Sequence, residues 1–267
     1  MVVHGNAGTL GAAVRPAYLR SLSAASPDKI HIIGIDYRGF GQSTGTPSEA
    51  GLIRDGLAAV RFAIDQLRIP PARIALVGQS LGTGVTVGVA EALATRAPPE
   101  ELAAVITIAA FSSMRELLLT YRIGGWFPIL SPLRGYPRLQ QFLTRYVVEQ
   151  WDTAGRLERL VKHSPNLNLV LLHATDDWEI SWRHCDTLFV RAANAAVLMG
   201  GGEPLTVEEA LAGKEVRTYG DEGMLARWPA ARSNGRRISQ WLVKWGGHNQ
   251  VVMGAGTSVV VANAFGL

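Results

Sequence analysis

Apolar residues fall along this chain mostly in short unbroken runs rather than in alternation with polar ones. The runs are "MVVHG" (1–5), "KIHIIGIDY" (29–37), "RIALVG" (73–78), "LAAVITIAA" (102–110), "NLVLLHA" (168–174) and "ISQWLVKW" (238–245). Continuous runs of this length are what strands covered on both faces look like, since neither side of the strand meets water. Between the early runs the pattern changes to helical spacing, in "LGAAVRPAYLRSLSAA", "SEAGLIRDGLAAVRFAIDQL" and "GTGVTVGVAEALATR". Strand, helix, strand in succession requires right-handed crossovers, so the pattern predicts an α/β fold: one domain over 1–267, with a mostly parallel sheet and helices on both faces.

Two stretches break the alternation. Residues 111–166, rich in proline and aromatics ("GGWFPILSPLRGYPRLQQF"), are expected to form a lid or cap. Residues 197–235 are expected to form a looser, polar surface insertion before the last strand. Between Arg115 and Val147 the lid carries Arg115, Arg122, Arg134, Arg138 and Arg145 against one acid, Glu116, with Tyr121, Trp126, Phe127, Tyr136, Phe142 and Tyr146 interleaved. Aromatics settle at a bilayer interface and arginines favour anionic head groups, so Arg122, Trp126, Phe127, Arg134 and Arg138 are candidate membrane-facing residues. The plainer alternative is a cap whose aromatics pack inward while its arginines face water. The tail "VVMGAGTSVVVANAFGL" combines glycines with β-branched residues and predicts a poor helix.

Composition narrows the picture further. Of 267 residues 48% are hydrophobic and 18% charged, enough for one sizeable core. Twenty-six Lys and Arg against 22 Asp and Glu give +4, too mild an excess to point to nucleic acid as a partner. The one cysteine, Cys185, excludes an internal disulfide and is expected to be a packing residue. No run approaches the ~20 apolar residues of a membrane span, and no signal peptide opens the chain, which therefore reads as soluble or peripheral. The chain opens directly on a strand and a Gly-rich turn, "MVVHGNAGT", and a preceding piece is expected.

In an open parallel sheet, ligands sit beyond the carboxyl ends of the strands, so the residues just past the runs belong together. These are "HGNAGT", "DYRGFGQS", Ser80, "HATDDWE" and "GGHNQ". Gly78-Gln79-Ser80-Leu81-Gly82 is a G-x-S-x-G sequence between a strand and a helix, where a serine displayed on a sharp turn crowds the positions two before and two after it. A serine hydroxyl needs a base and a carboxylate to orient that base. His248, between Gly247 and Asn249 after the last strand, is the best placed of six histidines; His4 and His173 are expected to make local hydrogen bonds, and His31, His163 and His184 have no motif partner. For the acid, the neighbouring Asp176, Asp177 and Glu179 are open. A developing oxyanion requires donors, expected from the backbone of Leu81 and from the first loop, Asn6 or Ala7. "GFGQSTG" (39–45) lacks the Gly-Lys-Ser/Thr ending of a phosphate loop, and no His or Cys cluster has metal spacing; neither metal nor cofactor is expected.

The segments "HGNAGT", "DYRGFGQSTGTPSEAGL", "GQSLGTG", "LLHATDDWEI" and "KWGGHNQ", with "LLLTYRIGGWFPILSPLRGYP", resemble α/β-hydrolase-fold serine lipases of the abhydrolase-domain-twelve type, in a fungal-like form. The resemblance implies hydrolysis of acyl esters of lipids, monoacylglycerols or lysophospholipids, through a Ser-Asp-His triad and an acyl-enzyme, at the endoplasmic reticulum membrane. It also implies that Asp177 is the acid, although Ser181 stands where proline is usual. Members carry a membrane-spanning helix and two further strands ahead of the "HGN" loop; the absence of both from this chain leaves a catalytically impaired scaffold or lipid-binding protein as the alternative.

Overall fold

In chain order the elements are β1 (Val2–Val3), α1 (Arg15–Ser23), β2 (Gly34–Ile35), α2 (Glu49–Arg61), β3 (Ala75–Gln79), α3 (Leu81–Ala94), β4 (Ala104–Ile108), α4 (Met114–Thr120), β5 (Arg122–Ile123), β6 (Phe127–Pro128), α5 (Pro137–Thr144), α6 (Thr153–His163), β7 (Asn168–Ala174), α7 (Arg183–Met199), α8 (Val207–Ala212), β8 (Glu215–Thr218), β9 (Gly223–Arg227), β10 (Arg237–Val243), α9 (Gly247–Gln250) and α10 (Ala255–Asn263). They come from a computed structural model that describes the chain apart from Ala7 and Gly125, and apart from the side chains of Arg134 and Gln141. The main sheet has the order β2-β1-β3-β4-β7-β10-β9-β8, parallel from β2 to β10 and antiparallel beyond. Every residue of β3 and β4 is buried, as their unbroken apolar runs require. One face is covered by α2, α3, α6 and α7 over a core that includes Val85, Leu93, Leu157, Leu160 and Phe189. The other is covered by α1 and α10, around Tyr18, Leu22, Val260 and Val261.

The run 29–37 pairs over only two residues, Gly34 and Ile35, and lies at the edge of the sheet. A strand pairs only over the length its neighbour offers, and β1 is two residues long, extended by the Val2 N–H to Ile33 carbonyl bond of 2.8 Å.

Three expectations are corrected. The last part of the expected lid, 111–166, is a core helix: α6 buries Thr153, Ala154, Leu157, Leu160 and Val161 against α3 and α7, so the part of the insertion outside the core comprises α4, the β5–β6 hairpin and α5. Its helical spacing was masked by the aromatic tract before it; Asp152 opens it by accepting the Gly155 N–H at 3.0 Å. The segment 197–235 is not a loose polar excursion. It holds the end of α7, a helix with a capping box (Thr206 and Glu209), and the β8–β9 hairpin that widens the main sheet. β8 is exposed along its whole length and carries charges, the usual guise of an edge strand, which hides it from an apolar search. The tail does form a helix. Packing of Val260, Val261 and Ala262 in α10 against α1 outweighs its weak propensity, as tertiary burial commonly does.

Candidate active site

β3 ends at Gln79 and α3 begins at Leu81, leaving Ser80 alone on the corner with φ +52° and ψ −122°. For a residue with a side chain this backbone costs about 1–3 kcal/mol and persists only where its surroundings over-determine it. They do: Ser80 N–H donates to the Ile108 carbonyl at 3.0 Å, and its carbonyl accepts the Thr83 hydroxyl at 2.6 Å and the Thr83 N–H at 2.9 Å. Glycine is required on both sides. A methyl group on Gly78 would run into the Gly82 carbonyl and Thr86 hydroxyl, and one on Gly82 into the Val3 carbonyl. The Leu81 N–H stands in the first turn of α3, where backbone donors have no partner within the helix. Opposite lies the first loop, pinned by Asp36, whose Oδ1 accepts the Leu10 N–H at 2.8 Å and lies 3.1 Å from His4 Nε2. Asn6 is exposed and shares a cavity with Ser80, whereas Ala7 lies outside the described residues.

Asp177 follows β7 and is buried. Its Oδ1 accepts the N–H groups of Glu179 and Ile180, each at 2.9 Å, and its Oδ2 accepts His248 Nδ1 at 2.9 Å with His173 Nε2 at 3.2 Å. Burial alone would raise its pKa, but the hydrogen bonds from His173 and His248 win and hold the carboxyl well below the usual carboxylate range. His248 is on α9. Burial pulls its pKa down, the Asp177 bond and charge pull it up, and the net shift is upward. Asp176, the neighbouring candidate for the acid, anchors the histidine loop instead, accepting Gly247 N–H at 2.7 Å and Gly246 N–H at 3.3 Å.

The structure therefore brings Asp177 and His248 together. It does not join His248 to Ser80, since the Ser80 hydroxyl and His248 Nε2 share no hydrogen bond; instead Gln79, next to the serine, donates from Nε2 to the His248 carbonyl at 2.8 Å and to Asn249 Oδ1 at 3.2 Å. Gln79 was missed, and a buried amide closing an otherwise apolar strand was the available signal. Missed too was a cluster beneath the lid: His184 Nδ1 meets the Ser112 hydroxyl at 2.8 Å and its Nε2 meets Thr120 Oγ1 at 3.0 Å, while Ser112 also bonds Glu116. Burial lowers the His184 pKa to about 4. Burial likewise pushes the Cys185 thiol up to about 12, which suits a packing role.

Ser80, Leu81 and Asn6 open into a cavity of about 310 Å³ walled by Leu52, Phe111, Met114, Leu117, Trp151 and Ile180. Helix α4 lines it with Met114, Leu117 and Leu118. Beyond, the β5–β6 hairpin turns apolar side chains to solvent: Trp126 is 84% and Phe127 74% exposed. Arg122 and Arg138 are exposed and have no ion-pair partner among the described residues; the side chain of Arg134 lies outside them. Among the described residues no group of His, Cys, Asp and Glu is arranged to hold a metal, and no helix is long and apolar enough to cross a membrane.

A strained serine on a strand-to-helix corner, in a parallel sheet whose later strand ends bear an acid and a histidine, defines a class. The alpha/beta hydrolase fold family matches residues 1–128, and the chain belongs to the α/β-hydrolase family. Within it the chain resembles the ABHD12 type: it is 30% identical over 200 residues to lysophosphatidylserine lipase ABHD12 of Danio rerio (75% of this chain, 48% of that protein) and 28% identical over 198 residues to protein ABHD12B of Homo sapiens (72% and 49%). The chain thus spans about half the length of these relatives. Among solved structures an alpha-beta hydrolase from Vibrio vulnificus superposes with a TM-score of 0.52 at 15% identity, covering 98% of this chain and 70% of that one, a likeness of fold.

Proposed function

We propose that the chain is a serine hydrolase that cleaves acyl esters of lipids. The observation that carries this reading is Ser80, held at positive φ over a largely apolar cavity, with its neighbour Gln79 tethering the His248 that Asp177 orients. Ser80 Oγ attacks the ester carbonyl carbon as its proton passes to His248 Nε2. The oxyanion is held by the Leu81 N–H and by that of Asn6 or Ala7, and His248 returns the proton to the departing alcohol. Water then repeats the sequence on the acyl-enzyme and releases the fatty acid. Rotation of the Ser80 side chain closes the gap to His248 once substrate is bound, since hydrogen bonds of this kind tighten in the complex.

The cavity volume of about 310 Å³ lies at the small end for a ligand site and suits part of an acyl chain. Monoacylglycerols and lysophospholipids are the proposed substrates; relatives named as lysophosphatidylserine lipases support the second. The exposed Arg122, Trp126, Phe127 and Arg138, with Arg134, are proposed to rest the lid on an anionic membrane surface, that of the endoplasmic reticulum by resemblance. A fluorophosphonate probe tests the reading: it should label the wild type and not Ser80→Ala. The second reading, a lipid-binding protein without turnover, is favoured by the absent Ser80–His248 bond; retained lysolipid binding with neither labelling nor hydrolysis would establish it.

A further inference from the structure

His173 has no part in the chemistry above, yet it is the most enclosed of the histidines, with no side-chain exposure. Its Nε2 lies 3.1 Å from the Ile180 carbonyl and 3.2 Å from Asp177 Oδ2. A carbonyl only accepts, so Nε2 carries the hydrogen. Its Nδ1 is buried without a partner, which leaves no place for a second proton, and the ring is therefore neutral. The Asp177 carboxylate thus receives two backbone N–H groups on Oδ1 and two imidazole N–H groups on Oδ2. Because the backbone pair already fixes the plane of the carboxylate, the donor from His173 is not needed for orientation. It shares the one oxygen that faces His248.

We propose that His173 is a positioning residue that acts through Asp177: by donating to the oxygen that holds His248, it moderates how strongly Asp177 holds a proton on His248. The inference rests on the reading of Asp177 and His248 as the acid–base pair. The charged and titratable groups around these rings are Asp176, Asp177 and Glu179 in the loop after β7, Tyr121 after α4 against Glu179, His184 on α7, His248 on α9, and Glu116 on α4 beside His184. None of the others bonds to Asp177 Oδ2. Withdrawing the His173 donor concentrates the carboxylate charge on His248, so His248 holds its proton to higher pH. A base that stays protonated is inactive, and the acid limb of the activity profile moves up with it.

Histidine ¹⁵N spectra recorded against pH in the wild type, His173→Phe and His173→Gln test this without needing turnover. In the wild type His173 should show the ring-nitrogen shifts of the Nε2–H tautomer. In His173→Phe the His248 midpoint should rise by about one unit, with the acid limb of kcat/KM rising equally. His173→Gln, whose amide N–H reaches the same oxygen, should stay near the wild type. An Nδ1–H or charged His173 in the wild type overturns the proposal even if the Phe variant does not fold, and so does an unmoved His248 midpoint. A chain that hydrolyses no ester leaves these spectra readable, so the failure of the hydrolase reading and the failure of this one are told apart.

Discussion

The crest of the sheet and the insertion proposed as a lid are built on opposite plans. At the crest, Asp177 is fully enclosed with four donors on its two oxygens, and Ser80 is forced into a costly conformation by bonds to Ile108 and Thr83. On the lid, Val148, Trp126, Phe127 and Tyr146 are each at least 70% exposed, and the short β5–β6 hairpin is tied to the crest by the Arg122 N–H to Glu179 carbonyl bond. Chemistry demands groups fixed before the substrate arrives. Recognition of an apolar surface demands the reverse, side chains whose burial is still to come.

The comparison breaks most sharply at Ser80. Replacement by alanine should lower kcat on the order of 10⁶-fold while leaving vesicle binding intact, measured by ester hydrolysis and flotation on the same preparation; a Ser80→Ala protein that keeps most of its activity removes the nucleophile from the reading. Asp177→Asn should cost about 10⁴-fold, because the amide imposes the wrong tautomer on His248. Asp176→Asn acts only through the loop and should cost far less; the reverse order would move the acid to Asp176.

Acid sharpens the contrast through His184, which joins the lid helix α4 to α7. Its folded-state pKa is depressed from 6.5 to about 4, so its contribution is whole above 6.5 and is lost as pH falls toward 4, roughly 3 kcal/mol in all. Urea unfolding at pH 7 and pH 4.5 should show His184→Gln losing less stability than the wild type across that interval. Catalysis responds to His248 separately. As its pKa is raised, kcat/KM should fall on acidification through a midpoint above the ordinary 6.5, where the ring becomes protonated and ceases to act as base.

The smallest effect belongs to the lid. Trp126→Ala with Phe127→Ala should weaken binding to phosphatidylserine-rich vesicles by about thirtyfold, each ring contributing on the order of 1 kcal/mol, with hydrolysis of a short soluble ester unchanged. Equal loss on both substrates would make the hairpin part of the packed site rather than a docking surface.

What could be read in advance follows the same division. The run 168–174 coincides with β7, and the serine corner was visible because its crowding admits only glycine at 78 and 82. Ser80, the acids of 176–179 and His248 could be placed past strand ends on one edge because a parallel sheet collects such ends there, whereas Asp177 was singled out among the acids only by the family resemblance. Pairings that depend on the folded chain left no local trace. Gln79 reaches His248 across 169 positions, Ser112 reaches His184 across 72, and α10 is a helix only because α1 lies beside it. Edge strand β8 failed for another reason, since its charges answer to solvent rather than to a core.

The packing of α10 and the Val251–Met253 turn on α1 has a kinetic meaning. Ser21 donates to the Val252 carbonyl across 231 positions, so the clasp that seats the histidine loop cannot close until nearly all of the intervening chain has left the ribosome. Contacts of such separation carry the greatest loop-closure entropy and come late. The serine corner, made from residues 78–83 and the Ile108 carbonyl, can assemble before the histidine loop is seated. Pulse-labelled amide exchange during refolding should find Gly247 protected after Thr83, with simultaneous protection of the two counting against this order of events.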